Sequence, residues 1–176
     1  MSTLEKRKVC LLGATGVGKT SLLMRFVRSI FSDQYQTTIG TKIESKQVVV
    51  DDHRVVLVLW DLSGEDEFQR VRLSYLRGAA GYLLVADGTR RATVETALAL
   101  HQAAAEIVGD VPRVLVLNKA DLRPFWELDD AHERELASCF PIFETSAKTG
   151  AGVEEAFRAL GYALLRSGRA DVPWRP

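Results

Sequence analysis

At 176 residues the chain has the length of one domain and can bury a core without disulfide or metal staples. Its 23 Lys and Arg offset 23 Asp and Glu, so the formal net charge is zero and there is no electrostatic basis for binding nucleic acid or anionic lipid. No run approaches 18 apolar residues, and residues 1–8 are too polar for a secretory leader.

Two cysteines, Cys10 and Cys139, sit in apolar contexts without metal-ligand spacing. They are expected to be buried free thiols in a reducing, cytoplasmic setting. His53, His101 and His132 are scattered and read as surface residues.

In chain order, residues 8–13 predict a strand through Val9-Cys10-Leu11-Leu12. Gly13-Ala14-Thr15-Gly16-Val17-Gly18-Lys19-Thr20 follows, and then a helix over 19–29 that buries Leu22, Leu23, Phe26 and Val27. Strand, glycine-rich loop and helix, with G-x-x-x-x-G-K-[ST] met in full, is the pattern of a phosphate-binding loop. Gly13, Gly16 and Gly18 let bare backbone approach phosphate oxygens. The bent chain aims N–H groups inward, and the helix start adds unpaired donors and the positive end of its dipole. Lys19 can reach the outer phosphates, and the Thr20 hydroxyl can ligate Mg²⁺.

Residues 31–40 are polar and turn-rich, as in a mobile loop. Residues 42–50 and 54–61 predict a hairpin turning at Asp51-Asp52-His53. Its first strand alternates like an edge strand; its second, from Val55 to Trp60, is nearly continuous and reads as buried. Residues 64–77 predict an irregular helix. Strands are predicted over 81–87, 111–118 and 141–145, and helices over 93–108, 129–138 and 153–167. A domain over 1–167 would then be followed by a frayed tail over 168–176. Strands alternating with helices argue an α/β fold, with a mostly parallel sheet, helices on both faces and one antiparallel edge strand.

In such a sheet, ligands sit beyond the carboxyl ends of the strands. Three further motifs fall there. Asp61 ends the third strand and can hold Mg²⁺, while Gly64 three residues on offers a bare N–H to a terminal phosphate; the alternative is a turn residue capping a helix. Asn118-Lys119-Ala120-Asp121 follows the fifth strand. A carboxylate at Asp121 accepts two hydrogen bonds from the adjacent N–H groups that guanine presents and adenine lacks, and the Lys119 stem can lie along the base. Ala147 can offer its N–H to the guanine carbonyl, with Ser146 and Lys148 bracing the turn. Taken alone, these two motifs could be ordinary loops; with the other two they define a site.

These motifs, with Thr38-Ile39-Gly40, Trp60 before Asp61, and Tyr75-Leu76-Arg77-Gly78-Ala79, resemble the Ras superfamily of small GTPases, most closely its Rab branch, over residues 8–166. The resemblance implies the P-loop small-GTPase fold of six strands and five flanking helices. It also implies a monomeric molecular switch that binds GTP and GDP with Mg²⁺ and hydrolyses GTP slowly. Effector, exchange-factor and GTPase-activating proteins would be its partners. By the same resemblance Thr15, Val17 and Ser21 join the loop's nucleotide contacts. Thr38 ligates Mg²⁺ only when the γ-phosphate is present, alongside Thr20 and Asp61. Phe31 meets the guanine edge-on, Tyr35 lids the phosphates, and Gly64 bonds the γ-phosphate. Lys19, Thr38 and Glu65 would form the catalytic set.

The chain departs from the family pattern at several positions. Glu65 stands where a glutamine orients the attacking water, Thr15 where Ras proteins have glycine, and Leu62-Ser63 where Thr-Ala is usual. Ile43 replaces an aromatic that Rab proteins often use for partners. Residues 170–176 hold no cysteine, so no prenyl anchor and no direct membrane binding are expected. Glu65, Thr15 and Ser63 leave room for a second class, a GTP-binding adaptor that scarcely hydrolyses. A kinase using the same loop would need an acceptor pocket and a lid, and no long insertion supplies them.

Overall fold

A computed structural model of the chain describes residues 4–64 and 71–167. Glu65 and the tail at 168–176 lie outside the described residues. Six strands, β1 (Glu5–Gly13), β2 (Thr41–Val50), β3 (His53–Leu62), β4 (Gly81–Asp87), β5 (Arg113–Asn118) and β6 (Ile142–Thr145), form one sheet in the order β2-β3-β1-β4-β5-β6. Among the described residues only the β2–β3 pair is antiparallel. Among the described residues four α-helices flank the sheet: α1 (Lys19–Arg28), α2 (Arg91–Val108), α3 (Asp130–Cys139) and α4 (Val153–Ser167). The described end of the irregular segment is a 3-10 turn at Leu73–Leu76. A second 3-10 helix, Ala120–Phe125, had no periodicity to announce it and carries Pro124.

The sheet divides the core in two. Successive residues of a strand point to opposite faces. Val9 and Leu11 of β1 therefore enter the cluster under α1 and α4, while Cys10 and Leu12 enter the one under α2 and α3. In the first cluster Phe26 of α1 stacks on Phe157 of α4, with ring centroids 4.0 Å apart and planes 4° from parallel. Central β4 is buried along its whole length, as a parallel strand covered on both faces should be.

Several expectations are corrected. β3 is not uniformly buried: Val55, Leu57 and Leu59 are, but Val56, Val58 and Trp60 are only half covered. The reason is that α1 and α4 pack on one face of β3, whereas α2 packs chiefly on β4 and β1. The hairpin turn has two residues, Asp51 and Asp52, both at positive φ (47° and 62°), and His53 joins the ladder. β5 starts at Arg113 because Pro112 has no N–H to give, though its carbonyl accepts from the Tyr82 amide at 3.2 Å. Cys10 is buried, but Cys139, at the end of α3, is exposed. His101 is not a plain surface residue: its Nδ1 lies 2.9 Å from the Tyr82 hydroxyl, and its ring meets Phe140 edge-on.

At one end of the β2–β3 hairpin, Thr41 pairs with Leu62, and the Ser63 amide donates to the Gly40 carbonyl at 3.0 Å. Gly40, the last residue of segment 31–40, and Ser63, just before Gly64, thus stand side by side at the end of the sheet. Among the described residues no helix is long and apolar enough to cross a membrane.

Candidate functional site

β1 delivers Gly13 and α1 departs at Lys19, so the loop between them is bent by the fold itself. Gly18 sits at φ 101°, and a Cβ there would stand 2.3 Å from Asn118 Nδ2, which leaves room for no residue but glycine. No side chain caps α1 and its first turn holds no acid, which leaves its first N–H groups for an anion. Lys19 is 6% exposed, and its Nζ donates to the Gly13 and Ala14 carbonyls at 3.1 and 3.0 Å. Burial lowers its pKa to about 8, against the pull of Asp61 upwards.

Behind the loop, three oxygen-bearing side chains meet. Thr20 Oγ1 lies 2.6 Å from Thr38 Oγ1 and donates to Asp61 Oδ2 at 2.5 Å. Asp61 is fully buried; burial raises its pKa, opposed by the Thr20 hydroxyl and by Lys19. Its Oδ1 has no hydrogen-bond partner, an unmet acceptor in a place that water does not reach. Two hydroxyls and one buried carboxylate with a spare oxygen suit a hard divalent cation such as Mg²⁺. That ion is commonly held by one or two carboxylates together with phosphate oxygens.

On the far side, the ends of β5 and β6 carry the other two motifs. Asn118 Oδ1 accepts from Thr145 Oγ1 at 3.0 Å and from the Ala147 amide at 3.3 Å. Asp121 Oδ1 accepts from the buried Ser146 hydroxyl at 2.7 Å. Lys119, at φ 70°, reaches Asp87 Oδ2 at 2.7 Å.

A family model described as "Ras family" matches residues 8–166. The chain is also 35% identical to the Ras-related protein RABG3f of Arabidopsis thaliana, over 96% of this chain and 87% of that protein. The chain belongs to the Ras superfamily, in its Rab branch. Membership makes it a GTP-binding switch protein, from a family of GTP hydrolases that bind guanine nucleotides, typically with Mg²⁺, and engage regulators and effectors.

In this Rab-branch chain Tyr35 and Gly64 both reach the glycine-rich loop. The Tyr35 ring lies 3.5 Å from where a Cβ on Gly16 would stand. A Cβ on Gly64 would be 2.5 Å from Thr15 Cα, so only glycine lets the two backbones come so close. One cavity of about 360 Å³ results, lined by Thr15, Gly16 and Gly18 to Ser21 of the loop, by residues 31–38, by Gly64, and by Asn118, Lys119, Asp121, Ala147 and Lys148. Phe31 is among those residues and also packs against the core. Gly13, Val17, Asp61 and Ser146 are not in the lining; they stand behind it, holding Lys19, Asn118, Thr20 and Asp121 respectively.

Sequence reasoning missed several supports. Arg25 of α1 donates through Nε to the Ala147 carbonyl at 2.7 Å and through Nη2 to the Lys148 carbonyl, fixing the 146–148 turn. Trp126 Nε1 donates to the Lys119 carbonyl at 2.9 Å. Leu122 joins the lining beside Asp121. Asp87 carries a sequence signal of its own, because it too ends a strand at the same rim.

Proposed function

We propose that this cavity binds GTP and GDP with Mg²⁺, that the chain hydrolyses GTP slowly, and that segments 31–40 and 64–77 recruit an effector in the GTP state. The observation that carries the reading is the buried, unpartnered Asp61 Oδ1 beside Thr20 and Thr38, at the foot of an anion-binding loop. Thr20, Thr38 and Asp61 would hold the cation, which neutralises phosphate charge when bound. Gly16, Gly18, Lys19, Thr20 and Ser21 would hold the phosphates. Gly13, Thr15 and Val17 belong with them as the frame of the loop. Tyr35 would cover the phosphates, and Gly64 would offer its N–H to the terminal one. Phe31, Asn118, Lys119, Asp121, Ala147 and Lys148 would surround the base, with Ser146 fixing the Asp121 carboxylate.

Guanine selection rests on Asp121. Adenine would offer the carboxylate no paired N–H groups and leave it only the Ser146 hydroxyl, a loss of about 4 kcal/mol for two hydrogen bonds to a charged acceptor. The full chain is therefore expected to bind GDP at least about a thousandfold more tightly than ADP, and Asp121→Asn to shift preference toward xanthine nucleotides. Displacement of bound GDP by equimolar ATP would overturn the reading.

For hydrolysis, Glu65 keeps the acceptor that a water needs and loses the donor a glutamine would add. Single-turnover GTP hydrolysis is expected at roughly 10⁻⁴ to 10⁻³ s⁻¹, and Glu65→Ala should slow it at least about tenfold. Equal rates would make the non-hydrolysing adaptor the better description. The chain is further proposed to act as a cytoplasmic monomer without direct lipid binding, given its zero net charge. Co-sedimentation with anionic liposomes at physiological salt would contradict that.

A further inference from the structure

Asp87 belongs to none of the four motifs, yet its side chain is 1% exposed and saturated with donors. Oδ2 receives Lys119 Nζ at 2.7 Å and Arg90 Nε at 3.0 Å. Oδ1 receives the Thr89 amide at 2.9 Å and the Thr89 hydroxyl at 2.7 Å. Arg90 is thereby tethered at its Nε, and its far end, Nη2, donates to the Thr15 carbonyl at 3.2 Å.

That contact fixes the direction of one peptide group. Thr15 and Gly16 line the cavity, whereas Arg90 does not, so the Thr15 carbonyl turns outward, away from the cavity. A trans peptide is planar, with its C=O and N–H pointing opposite ways. The Gly16 N–H is therefore aimed inward. The loop also has a base end and a far end. Gly18 abuts Asn118, while Thr15 abuts Gly64. The Thr15–Gly16 peptide lies toward the end remote from the base, where the outer phosphates of a nucleotide would be.

We propose that Arg90, anchored on Asp87, is a positioning residue that draws the Thr15 carbonyl outward and so presents the Gly16 N–H to the β- and γ-phosphates of a bound guanosine di- or triphosphate. Arg90 touches no substrate in this scheme. It works by holding a donor in place before the ligand arrives, and a donor preset in this way needs no reorganisation on binding. Because Lys119 shares the same Asp87 oxygen, the arrangement also ties the phosphate end of the site to the base end.

The inference rests on the guanine-nucleotide reading above, and the experiment separates the two. GDP and GMP binding to the full chain would be measured by NMR titration for wild type, Arg90→Ala and Arg90→Lys, with ³¹P spectra of the bound GDP. Arg90→Ala is expected to weaken GDP roughly tenfold, the scale of one misdirected hydrogen bond, and GMP less than about twofold. The β-phosphorus resonance should move while the α resonance stays. Arg90→Lys keeps a cation able to reach the Thr15 carbonyl and should recover most of the GDP affinity. An unchanged GDP affinity and β resonance in Arg90→Ala would overturn the inference alone. So would an equal loss for GDP and GMP, which marks general loosening. A wild-type chain that binds no GDP would overturn the nucleotide reading and this inference with it.

Discussion

Asn118 Nδ2 donates to the Val17 carbonyl at 2.9 Å, joining the base side of the cavity to the phosphate loop across 101 residues of sequence. The same side chain accepts from Thr145 and from the Ala147 amide, so one buried amide braces three segments. Asn118→Ala would strand a carbonyl, a hydroxyl and an N–H, each costing about 1–3 kcal/mol when buried and unmet. With partial relaxation, the expected loss is on the order of 3 kcal/mol in urea denaturation without nucleotide. A loss under about 1 kcal/mol would show that the bracing is dispensable.

Acid stability should report on Asp87. Burial pushes its pKa up, but hydrogen bonds from Lys119, Thr89 and Arg90 outweigh burial and hold the carboxyl below its ordinary value. Stability from a depressed carboxyl is present in full above the unfolded value, near 4, and is lost as pH falls through the lower folded value. The stability difference between wild type and Asp87→Asn should therefore be constant from about pH 7 to 5 and shrink below about pH 4. Urea midpoints across that range are the measurement. A difference independent of pH would mean that the charge contributes nothing.

The Phe26–Phe157 stack clamps α1 against α4, and Lys46 lies over the Phe26 ring at 4.1 Å from its centroid. Both rings are buried, so Phe157→Ala removes a large side chain and leaves a cavity. The expected loss is about 3–5 kcal/mol by chemical denaturation. Because α1 also carries Lys19 and Thr20, GDP should protect the variant less than wild type against thermal unfolding. Equal protection would uncouple this contact from the site.

Thiol chemistry should separate the two cysteines. Cys10 is buried, and that burial pushes its pKa up to about 11, so it holds almost no thiolate at neutral pH. Cys139 is exposed. A chromogenic disulfide reagent is expected to titrate one thiol rapidly in the native protein and two after denaturation. Cys139→Ser should abolish the rapid phase; persistence of that phase would mean that the strand carrying Cys10 opens readily.

The alternation of strands and helices, and the rim where the motifs gather, could be read from the chain because their causes are local. An apolar run followed by Gly13 to Thr20 specifies strand, loop and helix within about twenty residues; Asn118 and Thr145 each close a strand of the same sheet, and Asp61 stands one residue before the end of another. What escaped depends on distant neighbours. Nothing near Arg25 in the sequence announces the Ala147 carbonyl, and nothing near Arg90 announces Thr15. The exposure of Cys139 escaped because the residue is the last of α3, where its place on the helix decides its environment more than the apolar residues beside it. His101 departs from a surface position for the converse reason: its partners, Tyr82 and Phe140, arrive from β4 and from beyond α3.

The bond from the Ser63 amide to the Gly40 carbonyl fastens together the roots of segments 31–40 and 64–77. With Thr41 and Leu62 paired beside it, Gly40 and Ser63 are held together like two plates under one rivet at the end of the hairpin. Under the proposed function, a displacement of one root would pull on the other, and a partner surface that touches both would read a logical conjunction instead of a sum.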